Sequence, residues 1–134
     1  MSRPYGLLDT SAVIRIDEFS LSELPDIGFV SAITLAELSL GPLVAENPQE
    51  LAERQNQLQR AIVDYGDPLP FNEATARAFA EVAACLRQYG GKRKARSFDA
   101  LIAATAKANG LPLYTCNAKD FINVKGLNVV ALGK

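Results

Sequence analysis

The sequence predicts an α/β fold, a three-layer α/β/α domain around a short, mostly parallel sheet of five strands. Three observations predict it. Short apolar runs ending in turn or cap residues alternate with longer stretches of helical periodicity. The spans between successive strands hold helical patterns, and a helical crossover is what joins parallel neighbours, with right-handed sense. The 134 residues, 49% of them hydrophobic, suit one domain over residues 1–134 with a core that needs no staples.

The elements follow in order. Tyr5 to Leu8 is short, apolar and bounded by Asp9-Thr10-Ser11, so it reads as a buried strand followed by a helix cap. Ala12-Val-Ile-Arg-Ile begins a short helix. Ile27-Gly-Phe-Val30 is a second strand, and Thr34 caps a helix to about Leu40, stopped by Gly41-Pro42. Pro48 to Tyr65 is a long helix with Pro48 in its first turn and Leu51, Leu58, Ala61, Ile62 and Tyr65 on one stripe. Asp67-Pro-Leu-Pro-Phe71 is a weak strand, short or at an edge because of its prolines. Asn72 caps a helix to about Tyr89, ended by Gly90-Gly91, and Lys92 to Arg96 form an exposed basic loop. Ser97 caps the helix from Phe98 to about Asn109. Leu111 to Thr115 is a strand, Ala118 to Phe121 a helical turn, and Asn128 to Ala131 the last strand.

Composition excludes several chemistries. The chain has no histidine, so imidazole acid–base catalysis and Cys–His nucleophiles are absent. Cys85 and Cys116 are too few and too far apart for a zinc site, and read as a buried small hydrophobe and a free thiol. Fourteen basic and fifteen acidic residues give a net charge of −1, so any nucleic-acid contact comes from a local patch. No leader-like segment and no apolar run of membrane-spanning length is visible, which predicts a cytoplasmic protein without a membrane contact.

The chemistry therefore rests on carboxylates. Asp9 ends the first strand, Glu37 lies in the helix after the second, Asp99 opens the helix after the basic segment, and Asp120 follows the Leu111–Thr115 strand. Open α/β sheets place ligand sites beyond the carboxyl ends of their strands. Each acid also has an ordinary structural reading. Asp9 fits a helix cap, and Thr34-Leu-Ala-Glu37 fits a capping box in which Glu37 bonds back to its own helix start. Asp99 gains from the helix dipole, and Asp120 flanks a surface turn. Topology sets Asp9 and Asp120 at one rim, whereas Asp99 reads as awkwardly placed for a shared site. Carboxylates within about 5 Å of one another raise each other's pKa unless a cation joins them, and a hard ion such as Mg²⁺ or Mn²⁺ takes oxygen ligands.

Four blocks carry a resemblance. Leu7-Leu-Asp9-Thr10-Ser11-Ala12, Ser31-Ala-Ile-Thr-Leu-Ala-Glu37-Leu, Phe98-Asp99-Ala-Leu-Ile-Ala-Ala-Thr-Ala and Leu113-Tyr-Thr-Cys-Asn117-Ala-Lys-Asp120-Phe121 occur in the order and near the spacing of PIN-domain ribonucleases. The chain resembles in particular the VapC-type toxins of bacterial toxin–antitoxin pairs. The resemblance implies a PIN-like fold in which the acids converge. It implies Mg²⁺- or Mn²⁺-dependent endonucleolytic hydrolysis of RNA by metal-activated water, a homodimer, and a VapB-type antitoxin that blocks the site. Carried over by position, Asp9 and Asp99 are the metal ligands and Glu37 is a further catalytic acid. Asp120 completes the set through water with Asn117 close by, and the Thr10 or Ser11 hydroxyl orients a metal-bound water. Either Asn117 or Asp120 faces the metal.

Lys92, Arg93, Lys94 and Arg96 read either as a solvated loop or as a grip on RNA phosphates beside Asp99. The competing reading of the whole chain is a non-catalytic RNA- or protein-binding module on the same fold. A haloacid-dehalogenase-like phosphatase needs an Asp at position 11, where Ser11 stands. A receiver domain needs an acceptor Asp after its third strand, where Phe71-Asn72 supplies none.

Overall fold

The computed structural model describes residues 4–95 and 97–133, without the side chains of residues 90–94. Its sheet has four parallel strands, β1 (Tyr5–Leu8), β2 (Ile27–Phe29), β3 (Leu113–Thr115) and β4 (Val129–Ala131), in the order β2-β1-β3-β4. The register pairs Leu7 with both Phe29 and Leu113, and Leu8 with Tyr114. The fifth strand expected at residues 67–71 is reduced to one bridge, Ser31 to Leu69. The cause is local. Leu69 donates to Val30 O and accepts from Ala32 N, both at 2.8 Å, but Pro68 and Pro70 on either side have no N–H to extend the ladder.

Five helices cover the sheet: α1 (Thr10–Ile14), α2 (Ala32–Leu40), α3 (Pro48–Asp64), α4 (Glu73–Ala95) and α5 (Phe98–Ala108). Strand alternation sends successive side chains to opposite faces. Leu7 and Leu113 point into one cluster, with Val82 and Leu86 of α4, Ile102 of α5, and Phe121. Leu8 and Tyr114 point into the other, with Ala12 and Val13 of α1, Leu38 of α2 and Ala61 of α3. The three layers expected from the sequence are thus present. Each fully buried Leu or Ile contributes roughly 1.5–3 kcal/mol of apolar transfer. Small residues set the spacing. A Cβ on Gly6 would lie 2.3 Å from the Tyr114 ring, so only glycine lets that ring lie against β1.

Two helix boundaries differ from expectation. The cap of α2 is Ser31, whose hydroxyl accepts from Thr34 N at 3.0 Å, not Thr34 itself. Helix α4 runs through Gly90-Gly91 to Ala95, so Lys92, Arg93 and Lys94 lie on helical backbone instead of in a loop. Arg96 lies outside the described residues. Two helical glycines cost about 1 kcal/mol each, which is why the sequence reads as a stop. Against that cost, Ala95 at the helix end is 7% exposed and belongs to the core under α4 and α5.

Helix α5 carries the site residue Asp99 and is buried nearly all round, with Ala100 and Ile102–Ala106 inaccessible. Its alanines let it approach its neighbours closely. Gly110, at φ +64°, ends it, with Gly110 N on Lys107 O at 3.2 Å and Leu111 N on Ala106 O at 3.0 Å. Among the described residues no helix is long and apolar enough to cross a membrane.

Candidate active site at the carboxyl rim

The site begins where β1 stops. Asp9 is extended at φ −77°, ψ 177° and caps α1, its Oδ1 accepting from Ala12 N at 2.9 Å. The Ser11 hydroxyl donates to the same oxygen at 2.6 Å. The Thr115 hydroxyl, at the end of β3, donates to Oδ2. Asp9 is only 2% exposed, so three donors replace the water it has lost. An ionised carboxylate has about four acceptor positions, and one on Oδ2 stays open.

Thr115 was absent from the expected site set. Its signal lay in the register: once Leu8 pairs with Tyr114, the next residues, Asp9 and Thr115, meet at the rim. Ser11 ties the same two chain ends together, because its hydroxyl also accepts from Cys116 N at 3.1 Å.

Glu37 projects from α2 toward the same rim. It does not close the capping box its sequence allows. Its carboxylate instead accepts from the Thr10 hydroxyl at 2.6 Å. Thr10 also lies 3.1 Å from the Thr34 hydroxyl, but it has one proton, and the shorter contact to a carboxylate takes it. Glu37 is half-buried, and burial pushes its pKa up, the Thr10 bond pulls it down, and the charges of Asp99 and Asp9 push it up further. That mutual field places Asp9, Glu37 and Asp99 in one electrostatic neighbourhood.

Asp99 stands in the first turn of α5. A crossover helix runs antiparallel to its strands, so it starts at the carboxyl rim and ends where the next strand begins. Asp99 therefore shares the rim of Asp9, and the conflict read from the sequence disappears. The cavities agree. Glu37, Ser97, Phe98 and Asp99 line one open cavity of about 410 Å³. Asp99 and Asp120 line a second, with Leu86, Ser97 and Phe121. Asp120 and Asp99 therefore border the same small space. Asn117 is exposed at the start of the following 3₁₀ turn, and its backbone N–H is used on Thr115 Oγ1 at 3.0 Å. A larger groove of about 620 Å³ along α4, lined by Phe79, Ala83 and Arg87 among others, contains no acid.

The roles expected of Thr10 and Ser11 shift accordingly. Both hydroxyls are committed to carboxylates, Thr10 to Glu37 and Ser11 to Asp9, so they hold acids in place. The side chains of Lys92, Arg93 and Lys94 and all of Arg96 lie outside the described residues.

Among the described residues no three acids or thiols are gathered tightly enough to form a metal cage. The donor set still fits a hard divalent ion. Mg²⁺ is commonly held by one or two carboxylates, with waters and substrate phosphates completing its shell. Asp9 retains an open acceptor position, and Asp99 lines an open cavity.

The comparisons with known proteins agree with the fold. The PIN-domain family model matches residues 6–127. Ribonuclease VapC8 of Mycobacterium tuberculosis is 37% identical over 103 residues, spanning 76% of this chain and 90% of that protein. Ribonuclease VapC4 of the same organism is 33% identical over 130 residues, 95% of this chain and 96% of its own. Among solved structures, VapBC-5 from Mycobacterium tuberculosis, a member of the VapBC family of toxin–antitoxin systems, superposes with a TM-score of 0.79 at 25% identity, covering 96% of this chain and 99% of that one. FitAcB from Neisseria gonorrhoeae gives 0.67 at 29% identity, covering 92% and 94%. With its parallel sheet, its rim of acids and these relatives, the chain belongs to the PIN-domain family and is of the VapC toxin type.

Proposed function

We propose that the chain is a Mg²⁺- or Mn²⁺-dependent endoribonuclease, the toxin of a type II toxin–antitoxin pair, acting in the cytoplasm. The observation that carries the reading is the meeting of three acids at one rim: Glu37 is tied through Thr10 to the start of the helix that Asp9 caps, and it lines one cavity with Asp99. Two carboxylates would hold the ion, Asp9 through its open Oδ2 position and Asp99 from the first turn of α5. When bound, such an ion polarises a phosphodiester and makes water a better nucleophile at neutral pH. The chain's own part is positional. Glu37, kept half-buried and hydrogen-bonded by Thr10, stands where it can take a proton from an attacking water. Asp120 borders the second cavity with Asp99, and its role would be to orient water.

The solved toxin–antitoxin relatives support a VapB-type protein partner. A homodimer follows from the family resemblance, and light scattering on the purified chain checks it. The decisive experiment incubates the chain with total RNA plus Mg²⁺ or Mn²⁺, or plus chelator, and maps the new ends. Cleavage is expected only with the ion, and is expected to be lost in Asp99→Asn with melting unchanged. Full cleavage by Asp99→Asn overturns the reading. Metal-independent RNA binding without turnover favours a non-catalytic module.

A further inference from the structure

We propose that Phe98 is a substrate-contacting residue, a platform on which an unpaired nucleobase of single-stranded RNA stacks beside the cleaved phosphodiester. The proposal rests on the ribonuclease reading and adds to it a residue that touches the base beside the cleaved bond.

An exposed phenylalanine alone needs no explanation, because apolar atoms make up much of any protein surface. The position of Phe98 does. The sequence places it on the apolar stripe of α5 with Leu101 and Ile102. The structure buries Ile102 completely but leaves Phe98 43% exposed, so its ring is not spent on the core. Together with Ser97 it lines the cavity that contains Glu37 and Asp99. Phe98 and Asp99 are consecutive, with Cα atoms about 3.8 Å apart. Because Phe98 borders the same cavity as Glu37 and Asp99, a phosphodiester held by a cation at the acids brings its attached nucleoside into the space beside this ring. The cavity, at about 410 Å³, lies within the roughly 300–1,000 Å³ usual for small-ligand pockets.

Chemistry selects the occupant. Glu37 and Asp99 repel a bare anion, so the phosphate of a substrate is not gripped by this cavity wall itself. An aromatic face offers what the acids cannot, attraction for the uncharged part of the nucleotide. Every base has a π-face, so stacking is tolerant of sequence, and it requires a base splayed out of a helix. A double-stranded RNA keeps its bases stacked on one another and gains nothing from Phe98.

The test uses the full chain with a short single-stranded RNA that it cleaves, and Phe98→Ala, Phe98→Leu and Phe98→Tyr variants. Because the ring is partly exposed, all should fold, and thermal melting checks this. Phe98→Ala is expected to raise KM about tenfold with kcat little changed, Phe98→Leu to behave alike, and Phe98→Tyr to restore the native value. A second readout is independent of turnover. 2-Aminopurine, placed in turn at each position of the RNA, is expected to be quenched on binding at one position next to the cleaved bond, with Ca²⁺ replacing the active ion. The quench should vanish in Phe98→Ala. Unchanged KM and quench in Phe98→Ala, or full rescue by Phe98→Leu, overturn the proposal. So does a variant whose only change is in self-association by size exclusion, which assigns the ring to a protein contact. If the native chain leaves all RNA intact with Mg²⁺ and Mn²⁺, the ribonuclease reading itself fails, which is distinct from native cleavage insensitive to Phe98.

Discussion

Asp9 and Glu37 belong to one rim but are held in opposite ways. Asp9 is sealed at 2% exposure, with a backbone N–H and two hydroxyls arranged around it. Glu37 is half-buried, accepts from the Thr10 hydroxyl, and lies near two other acids. The difference teaches that the site has a rigid anchor and a responsive member. The anchor is built from chain ends that meet through sheet register, β1 with β3. The responsive member comes from a helix on a different crossover, and its ionisation depends on its neighbours.

The comparison breaks most severely at the anchor. In Asp9→Asn the new amide N–H group faces existing donors, so the variant is expected to lose about 1–3 kcal/mol of stability and at least about 100-fold in RNA cleavage. Thermal melting and an RNA cleavage assay check the two effects separately. A variant that melts like the native chain would show that the three donors do not hold the carboxylate.

Thr115→Val is the next test. It keeps the shape of the side chain but removes the donor on Oδ2, leaving Asp9 with fewer partners in a buried place. Denaturant unfolding should show about 1–3 kcal/mol of loss, and cleavage should fall about 10- to 100-fold, the range for outer-shell partners of metal ligands. Activity equal to the native value would assign Thr115 to the fold alone.

The smallest effect belongs to the responsive member and is one of sign. Burial and the nearby acids raise the pKa of Glu37 in the folded state above its ordinary value of 4.5. The folded chain therefore binds this proton more tightly than the unfolded chain, and the stability it contributes is complete below pH 4.5. That contribution is lost as pH rises through the folded pKa. Glu37→Gln escapes the loss. Without metal, its melting temperature should exceed that of the native chain at neutral pH, and the gap should close in acid. A Thr10→Val background, which removes the one bond lowering the pKa, should widen the gap. A gap independent of pH would contradict the assignment.

Much of this was readable in the sequence, for local reasons. The acids stand at element boundaries, and the four blocks around them keep their order, so the fold was accessible and the acids stood out as candidates. What escaped was non-local. Thr115 joins Asp9 only through strand register across 106 positions of separation. Glu37 satisfied a local capping pattern that a longer-range hydroxyl, Thr10, overrides. The fifth strand shrank to Leu69 because two prolines leave one residue able to pair. The end of α4 is hidden in the sequence because the cost of Gly90-Gly91 is local, whereas the burial of Ala95 is tertiary.

The donors around Asp9 have a consequence for the chain without its ion. A carboxylate stripped of water and left bare would need the cation merely to tolerate its own burial. Asp9 instead carries a permanent substitute for its hydration shell, made of Ser11, Thr115 and the start of α1. At this position the fold stands without a cation, so uptake of the proposed ion would be an equilibrium separate from folding.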